Sequence, residues 1–457
     1  MLADPQETSG ESAYRAIRAD IVSGRLPPRD RMRLETLKSH YAASISTLRE
    51  ALYRLTSEGL VVVETRGFEV APLSTQEFVE LAALRELLET RAMRQSFAAG
   101  TLEWEGQVVG SFHKLNRMEQ LMLSGDRSRS TEWKQYDREF HRTLISACAS
   151  QELLAAHAAI FDRFQRYQIV AVIFRGEAAA AEHEALRQAA LDRRIEDAES
   201  VLHRHIQGCI EHSMAQGLLD AALPDSSVPG ARPREPRRDA DLSVGERGWR
   251  QVRGDILMGR LLPRQKLRLD SLRASYGVSI STLREILNRL TSEGLVIAEG
   301  QRGFEVAPVS AANLHEIAQL RLLLEGQALE DSFAAGDVEW EAQLVAAYHR
   351  LVSLEERMAA NDRSAAELWK QYDWQFHQAL ISACGSQMLM QLHGAIFDKY
   401  LRYQMIALSY RGRIAADEHR ALHDCALRRD AAGARAVLEQ HLQGGVSHAL
   451  MTGTFDS

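Results

Sequence analysis

The chain carries nearly the same text twice. Ser44-Ile45-Ser46-Thr47-Leu48-Arg49-Glu50 returns as Ser279-Ile280-Ser281-Thr282-Leu283-Arg284-Glu285, and Trp133-Lys134-Gln135-Tyr136-Asp137 returns as Trp369-Lys370-Gln371-Tyr372-Asp373. The offset is 284 − 49 = 235 in the first motif and 373 − 137 = 236 in the second, so one inserted residue, near Gly300, separates two full copies. Solenoid units repeat every ~20–50 residues, so a period this long marks a duplicated protein. Symmetric proteins commonly act as two-fold dimers. A fused duplicate reads as such a dimer written on one chain.

A length of 457 residues admits about three or four domains, and 45% hydrophobic residues support real cores. No run of ~18 apolar residues is present, so no membrane span is expected. Met1 to Gly10 lacks a basic-then-apolar signal pattern. Cys148, Cys209, Cys384 and Cys425 form no CxxC pair, which argues against a disulfide frame or a cysteine zinc site and for a reducing cytoplasm. Net charge is −7, unevenly spread: residues 11–72 hold 10 Lys+Arg against 8 Asp+Glu and residues 247–308 hold 11 against 6. Those segments are therefore +2 and +5, and the remainder is −7 − (2 + 5) = −14. Two mildly basic modules on an acidic body fit a polyanion partner for the modules.

Each copy divides again. Residues 11–73 read as a short helix, a helix-turn-helix and a hairpin. Leu34–Tyr41 is the first helix of the pair, Ser44 the cap, and Ile45–Ser57 the second, with Leu48, Leu52 and Leu55 inward at helical spacing. Gly59 ends it, and two β-prone runs flank Glu64-Thr65-Arg66-Gly67. Helix-turn-helix followed by a hairpin is a winged DNA-binding module. Residues 74–217 keep a helical pattern with breaks near Gly100, Gly125, Ala149–Ser150, Arg175–Gly176 and Arg193, which gives a six-helix bundle. Residues 218–246, with Pro224, Pro229, Pro233 and Pro236, read as a flexible linker spanning about 30 Å on average. Residues 247–309 and 310–453 repeat the winged module and the bundle. The fold class is mainly α: two tandem copies of a winged helix-turn-helix domain followed by an all-α bundle.

In such a module the N-terminal side chains of the second helix reach base edges in the major groove. Ser44, Ser46, Thr47 and Arg49 are the candidates, with Ser279, Ser281, Thr282 and Arg284 in the second copy. Arg49 and Arg284 suit bidentate contact with guanine. Arg66 and Arg302 sit at the hairpin tips, and Arg33 and Arg268 are candidate phosphate contacts. The motifs Ser44–Leu52, Glu58-Gly59-Leu60-Val61 and Arg66-Gly67-Phe68-Glu69-Val70-Ala71-Pro72 resemble the N-terminal domain of GntR-family regulators. The bundle resembles the FCD ligand-binding domain of the FadR branch. The likeness covers both copies almost end to end. Ile45 and Ile280 stand where the family commonly has an arginine, so the operator sequence does not follow from relatives. Ala42 replaces the usual turn glycine, which Gly277 retains.

The resemblance also implies a site. Asp137 and His141 lie four apart on one helix face, and His183 and His205 follow on the fifth and sixth bundle helices. Asp373, His377, His419 and His441 repeat them at offset 236. This pattern matches the FCD metal-binding set and suits a divalent ion: zinc first, with nickel and manganese as alternatives. His113, His157 and His212 also repeat, so repetition alone assigns no ligand. Arg85 and Arg321 occupy the arginine that the family uses to hold a carboxylate effector; the alternative is a helix salt bridge to Glu89 or Glu325, worth about 0.3–0.5 kcal/mol on a surface. Arg166 and Arg402 are further effector candidates. Gly336–Trp340 resembles regulators of glutarate and related dicarboxylate use.

The expected protein is a non-enzymatic, metabolite-responsive transcriptional regulator, a repressor by preference. It would bind double-stranded operator DNA as an intramolecular pseudo-dimer, open to further self-association, with a metal-bound carboxylate effector in each bundle. Two alternatives stand beside it. A metal-dependent enzyme lacks a base motif such as HExxH and has no need of two winged modules. An architectural DNA binder has no use for two retained ligand sets.

Overall fold

Hydroxyl and carboxylate caps start many of the described helices. In the computed structural model, which describes residues 9–64, 67–126, 128–170, 173–215, 217, 243–298, 303–407 and 410–453, Ser44 Oγ accepts from Thr47 N at 3.1 Å and Ser74 Oγ from Glu77 N at 3.1 Å. Ser279, Ser310, Asp337 and Ser386 cap their helices in the same way. Each satisfies one backbone N–H that a helix start leaves without a partner.

The chain forms two compact units, residues 1–242 and 243–457. In the first, α1 (Ser9–Val22), α2 (Leu34–Tyr41) and α3 (Ile45–Ser57) surround a core of Ile17, Ile21, Leu37, Leu48, Leu52 and Leu55. Strands β1 (Arg31–Met32), β2 (Val61–Glu64) and β3 (Gly67–Val70) form an antiparallel sheet of order β1-β3-β2, with Met32 opposite Phe68 and Val63 opposite Phe68 on its other side. Sequence reading finds the β2–β3 hairpin but not β1, because two residues carry no periodicity. Six helices follow: α4 (Thr75–Ala99), α5 (Leu102–Leu123), α6 (Ser130–Leu144), α7 (Gln151–Val170), α8 (Glu177–Leu191) and α9 (Ile195–Ala215). Helix α4 packs on α7 and α9, and α5 on α6 and α8.

The second unit repeats this order. Its winged module, hereafter the reader as in the first unit, comprises α10 (Val244–Leu257), β4 (Lys266–Leu267), α11 (Leu269–Tyr276), α12 (Ile280–Ser292), β5 (Val296–Ala298) and β6 (Phe304–Val306). Its bundle comprises α13 (Ala311–Ala335), α14 (Val338–Ala359), α15 (Ala366–Ile381), α16 (Gln387–Ile406), α17 (Arg413–Leu427) and α18 (Ala431–Thr452). Helix α10 takes in residues 244–246, which sequence composition places in the linker. Ser243 explains the earlier start, since its side chain accepts from Glu246 N at 3.1 Å. The hairpin-tip residues Arg66 and Arg302 and linker residues 218–242 lie outside the described residues. All four cysteines are free, and no helix among the described residues is long and apolar enough to cross a membrane.

The turn between α2 and α3 separates the copies energetically. Ala42 sits at φ 50°, in the left-handed region, whereas Gly277 fills the same position at φ 65°. A Cβ costs a residue roughly 1–2 kcal/mol there, partly offset by the extra freedom glycine loses on folding. A Cβ on Gly277 would meet no atom within 4 Å, so the effect is purely one of backbone. Ala42→Gly should therefore stabilise the first helix-turn-helix by about 1 kcal/mol, and Gly277→Ala should weaken the second by a similar amount. Amide exchange over residues 34–57 and 269–292 measures both; unchanged protection would remove the strain argument.

Candidate metal centre and nucleic-acid interface

Four side chains of the first bundle converge on one point. Asp137 and His141 project from successive turns of α6, His183 comes from α8 and His205 from α9. Their nearest donor atoms all lie within 4.8 Å of one another, and all four residues are buried. In the second bundle Asp373, His377, His419 and His441 form the same group under the same limit.

Each imidazole is held from behind by a carboxylate. His141 Nδ1 donates to Glu89 Oε1 at 2.6 Å, His183 Nδ1 to Glu119 Oε1 at 2.7 Å, and His205 Nδ1 to Glu182 Oε2 at 2.9 Å. The second bundle repeats these pairs as His377–Glu325, His419–Glu355 and His441–Glu418 at 2.5, 2.6 and 2.8 Å. A hydrogen on Nδ1 leaves the Nε2 lone pair for the centre, which is how metal-binding histidines are commonly oriented. Nε2 of His141 and His377 is buried without a hydrogen-bond partner in the protein, and Nε2 of His183 and His419 lies 3.4 and 3.2 Å from Asp137 Oδ1 and Asp373 Oδ1. Buried polar atoms are otherwise nearly always satisfied. A borderline divalent ion fits this set of three nitrogens and one carboxylate oxygen.

The supporting residues extend outward. Lys134 Nζ lies 3.5 Å from Asp137 Oδ2 and donates to Gln168 Oε1 at 3.0 Å. Arg175 pairs with Glu182 and reaches within 3.3 Å of His205 Nδ1. His157 buttresses Glu89 at 3.1 Å. Glu119, Glu182, Lys134 and Arg175 escaped the sequence reading; the signal available was their exact counterparts Glu355, Glu418, Lys370 and Arg411 at offset 236.

Arg85 joins this site. It is 1% exposed, its Nε donates to Glu89 Oε2 at 2.8 Å, and its guanidinium lies 4.3 Å over the Phe161 ring. The ion pair and the location beside the cluster coexist, so the surface value for a helix pair does not transfer to it. Arg321 repeats the geometry, and its Nη2 is buried with no partner in the protein. Arg166 and Arg402 go elsewhere: their Nη2 atoms donate to the carbonyls of Ala71 and Ala307, just past the wing strands. They tie reader to bundle within each unit and do not face the cluster.

Charge in the cluster is divided. Burial pushes His183 down, but hydrogen bonds to Asp137 and Glu119 outweigh it and raise it to about 9. Burial, with the neighbouring His183 and His141, drives His205 well below the usual range despite Glu182. Burial would raise Asp137, but Lys134 and His183 hold its carboxyl well below the usual carboxylate range. The cluster carboxylates thus favour the protonated form of His183 over that of His205.

The reader surface is built as simply. Ser44 Oγ is committed to capping and to Ser46 and Thr47 Oγ atoms at 2.9 and 2.8 Å. Ser46 and Arg49 are exposed on the first turns of α3, as Ser281 and Arg284 are on α12, where Ser279 caps Thr282. Arg33 precedes α2 and Arg268 precedes α11, both exposed. Arg31, Arg33, Arg49, Tyr53 and Glu64 line one surface cleft between α3 and the wing. Arg31 was missed by sequence reading; its counterpart Lys266 keeps the charge.

Two family models each match the chain twice, in the order of this layout. A family model described as "Bacterial regulatory proteins, gntR family" matches residues 9–70 and 249–306, and one described as "FCD domain" matches residues 80–208 and 316–444. The chain is 36% identical over 207 residues to "Uncharacterized HTH-type transcriptional regulator BphR" of Paraburkholderia xenovorans (strain LB400), covering 45% of this chain and 84% of that protein. It is 34% identical over 203 residues to "HTH-type transcriptional repressor GlaR" of Escherichia coli (strain K12), covering 43% of this chain and 90% of that protein. Among solved structures, E. coli McbR/YncC matches with a TM-score of 0.41 and 18% identity, over 46% of this chain and 99% of that one.

The pKa of His183 and its counterpart His419, each raised to about 9, sets a pH window. A folded-state pKa above the unfolded value near 6.5 stabilises fully below pH ~6.5 and loses that contribution as pH rises through about 9. Chelated protein should therefore melt at progressively lower temperature from pH 6.5 to 9.5, with the loss absent in the double variant His183→Gln, His419→Gln. A melting temperature whose pH slope is the same in both proteins would contradict the assignment.

Proposed function

The chain belongs to the GntR family of bacterial transcriptional regulators, in the branch with an FCD domain, and we propose that it is a repressor whose two bundles sense a small carboxylate through a bound divalent ion. The observation that carries the reading is the convergence of three imidazoles and one carboxylate in each bundle, with Nε2 of His141 or His377 left without a protein partner beside a buried arginine. Asp137, His141, His183 and His205 would hold the ion in the first bundle; Asp373, His377, His419 and His441 would hold it in the second. A divalent ion there supplies a Lewis-acid anchor for a carboxylate oxygen. Arg85 and Arg321 offer the second contact, and glutarate-like dicarboxylates are the class to test first. Zinc is favoured by the three-imidazole set, with nickel and manganese as alternatives.

On the DNA side, Arg49 and Arg284 read base edges, and Ser46, Thr47, Ser281 and Thr282 flank them. Arg33 and Arg268 hold phosphates, and Arg66 and Arg302 enter the minor groove or touch phosphate. The two readers of one chain address the two halves of one operator, as a fused pseudo-dimer in the cytoplasm. Effector coupling of ~1–3 kcal/mol suffices to change operator occupancy.

An operator recovered by selection from random DNA tests this. Arg49→Ala and Arg284→Ala should each weaken binding by ~1–3 kcal/mol and relax one base in opposite half-sites. Affinity indifferent to the double substitution would refute the assigned recognition helices, and affinity indifferent to metal, chelator and dicarboxylates alike would refute the sensor. Light scattering should give 51.2 kDa for the active chain; twice that mass would mean that copies pair between chains.

A further inference from the structure

The two units join the metal-cluster helix to the reader differently. In the first, a chain of charges runs from the metal-cluster helix to the recognition helix. Arg138 follows Asp137 on α6, and its Nη2 lies 2.8 Å from Asp162 Oδ2 and 2.7 Å from Oδ1. Asp162, on α7, has a side chain only 1% exposed and also accepts from Arg18 Nη2 of α1 at 2.5 Å. Arg18 Nε continues to Glu58 Oε2 at 2.7 Å. Glu58 caps the C-terminus of α3, and Tyr14 donates to its other oxygen. The ladder Arg138–Asp162–Arg18–Glu58 alternates in sign and sums to zero charge.

The second unit keeps the outer half of this ladder. Arg253 donates to Glu293 at 2.7 Å and to Asp398 at 2.6 Å. The inner rung is gone, because Trp374 stands at the position of Arg138. Its ring packs on Phe397 at 4.4 Å, in a cluster with Leu401, Met405 and, from the reader, Met258. The first unit has Gln165 and Ser23 where Leu401 and Met258 stand. Asp398 is accordingly 23% exposed.

We propose that Arg138, Asp162 and Arg18 are positioning residues that pass the state of the first bundle to the first recognition helix, and that the second unit, with Trp374 in place of Arg138, holds its reader in a fixed position. The reading rests on the proposed sensor role of the clusters. Charge-assisted hydrogen bonds lose strength steeply with distance and angle, so a shift of α6 on loading Asp137 and His141 changes the ladder. Apolar contact is non-directional, and the charged link from α15 to the second reader, Arg260 to Glu367 at 2.5 Å, is at least half exposed and screened by solvent, so the same shift of α15 has little consequence for α10. One chain would then carry one responsive reader and one constant anchor.

Amide exchange of the full chain, with zinc alone as the probe, tests this. Zinc should slow exchange in α8 and α9 and equally in α17 and α18. In the readers it should change exchange over Ser9–Val22 and the last turn of α3, and leave α10 and the last turn of α12 unchanged. Arg138→Met should abolish the reader response while keeping the bundle response; Arg138→Lys, which keeps the charge, should retain part of it and guards against misfolding of the first variant. Equal responses in both readers, no response in either beside responding bundles, or a response that survives Arg138→Met would each overturn the inference while sparing the sensor reading. Bundles that ignore zinc would overturn both.

Discussion

An imidazole can serve a buried centre only if its second nitrogen is held, and the bundles of this protein are organised around that requirement. Six carboxylates, Glu89, Glu119 and Glu182 with Glu325, Glu355 and Glu418, each fix one histidine. Their burial is costly by itself, and arginines support two of the three in the first bundle: Arg85 for Glu89 and Arg175 for Glu182. The demand spreads the site across α4, α5, α6, α8 and α9. Helices that share one such network cannot move independently, which makes a bundle of this kind suited to report on what it binds.

Much of this was legible in the sequence because duplication supplies an internal control. The Asp-x3-His spacing on α6 and the later histidines stand at one offset, and the helix-turn-helix is marked by Ser44, Leu48, Leu52 and Gly59 together. What escaped has a physical reason. Strand β1 is two residues long and forms only because β3 is there to pair with it. Glu119 lies on α5, 64 residues before His183, and nothing local marks it as that histidine's partner. Arg166 looks like a cavity arginine from its repetition, yet its hydrogen bond goes to the Ala71 carbonyl, a destination set by how the wing rests on α7.

The duplication is also where the protein departs from a symmetric dimer. A two-fold dimer of identical subunits must place the same residue at both joints. A fused chain has no such constraint, and Arg138 against Trp374, Ser23 against Met258 and Ala42 against Gly277 show that its copies have diverged at the joints and turns while the donor sets stayed the same. Divergence that spares the cluster and alters its connection to the reader is what separate roles for the two halves require.

Both clusters are proposed to hold a divalent ion. Elemental analysis of the full chain, equilibrated with excess zinc and then freed of unbound ion, measures this directly. Two divalent ions per chain are expected, one in each bundle. A chain that retains none, while remaining folded by circular dichroism, would contradict it.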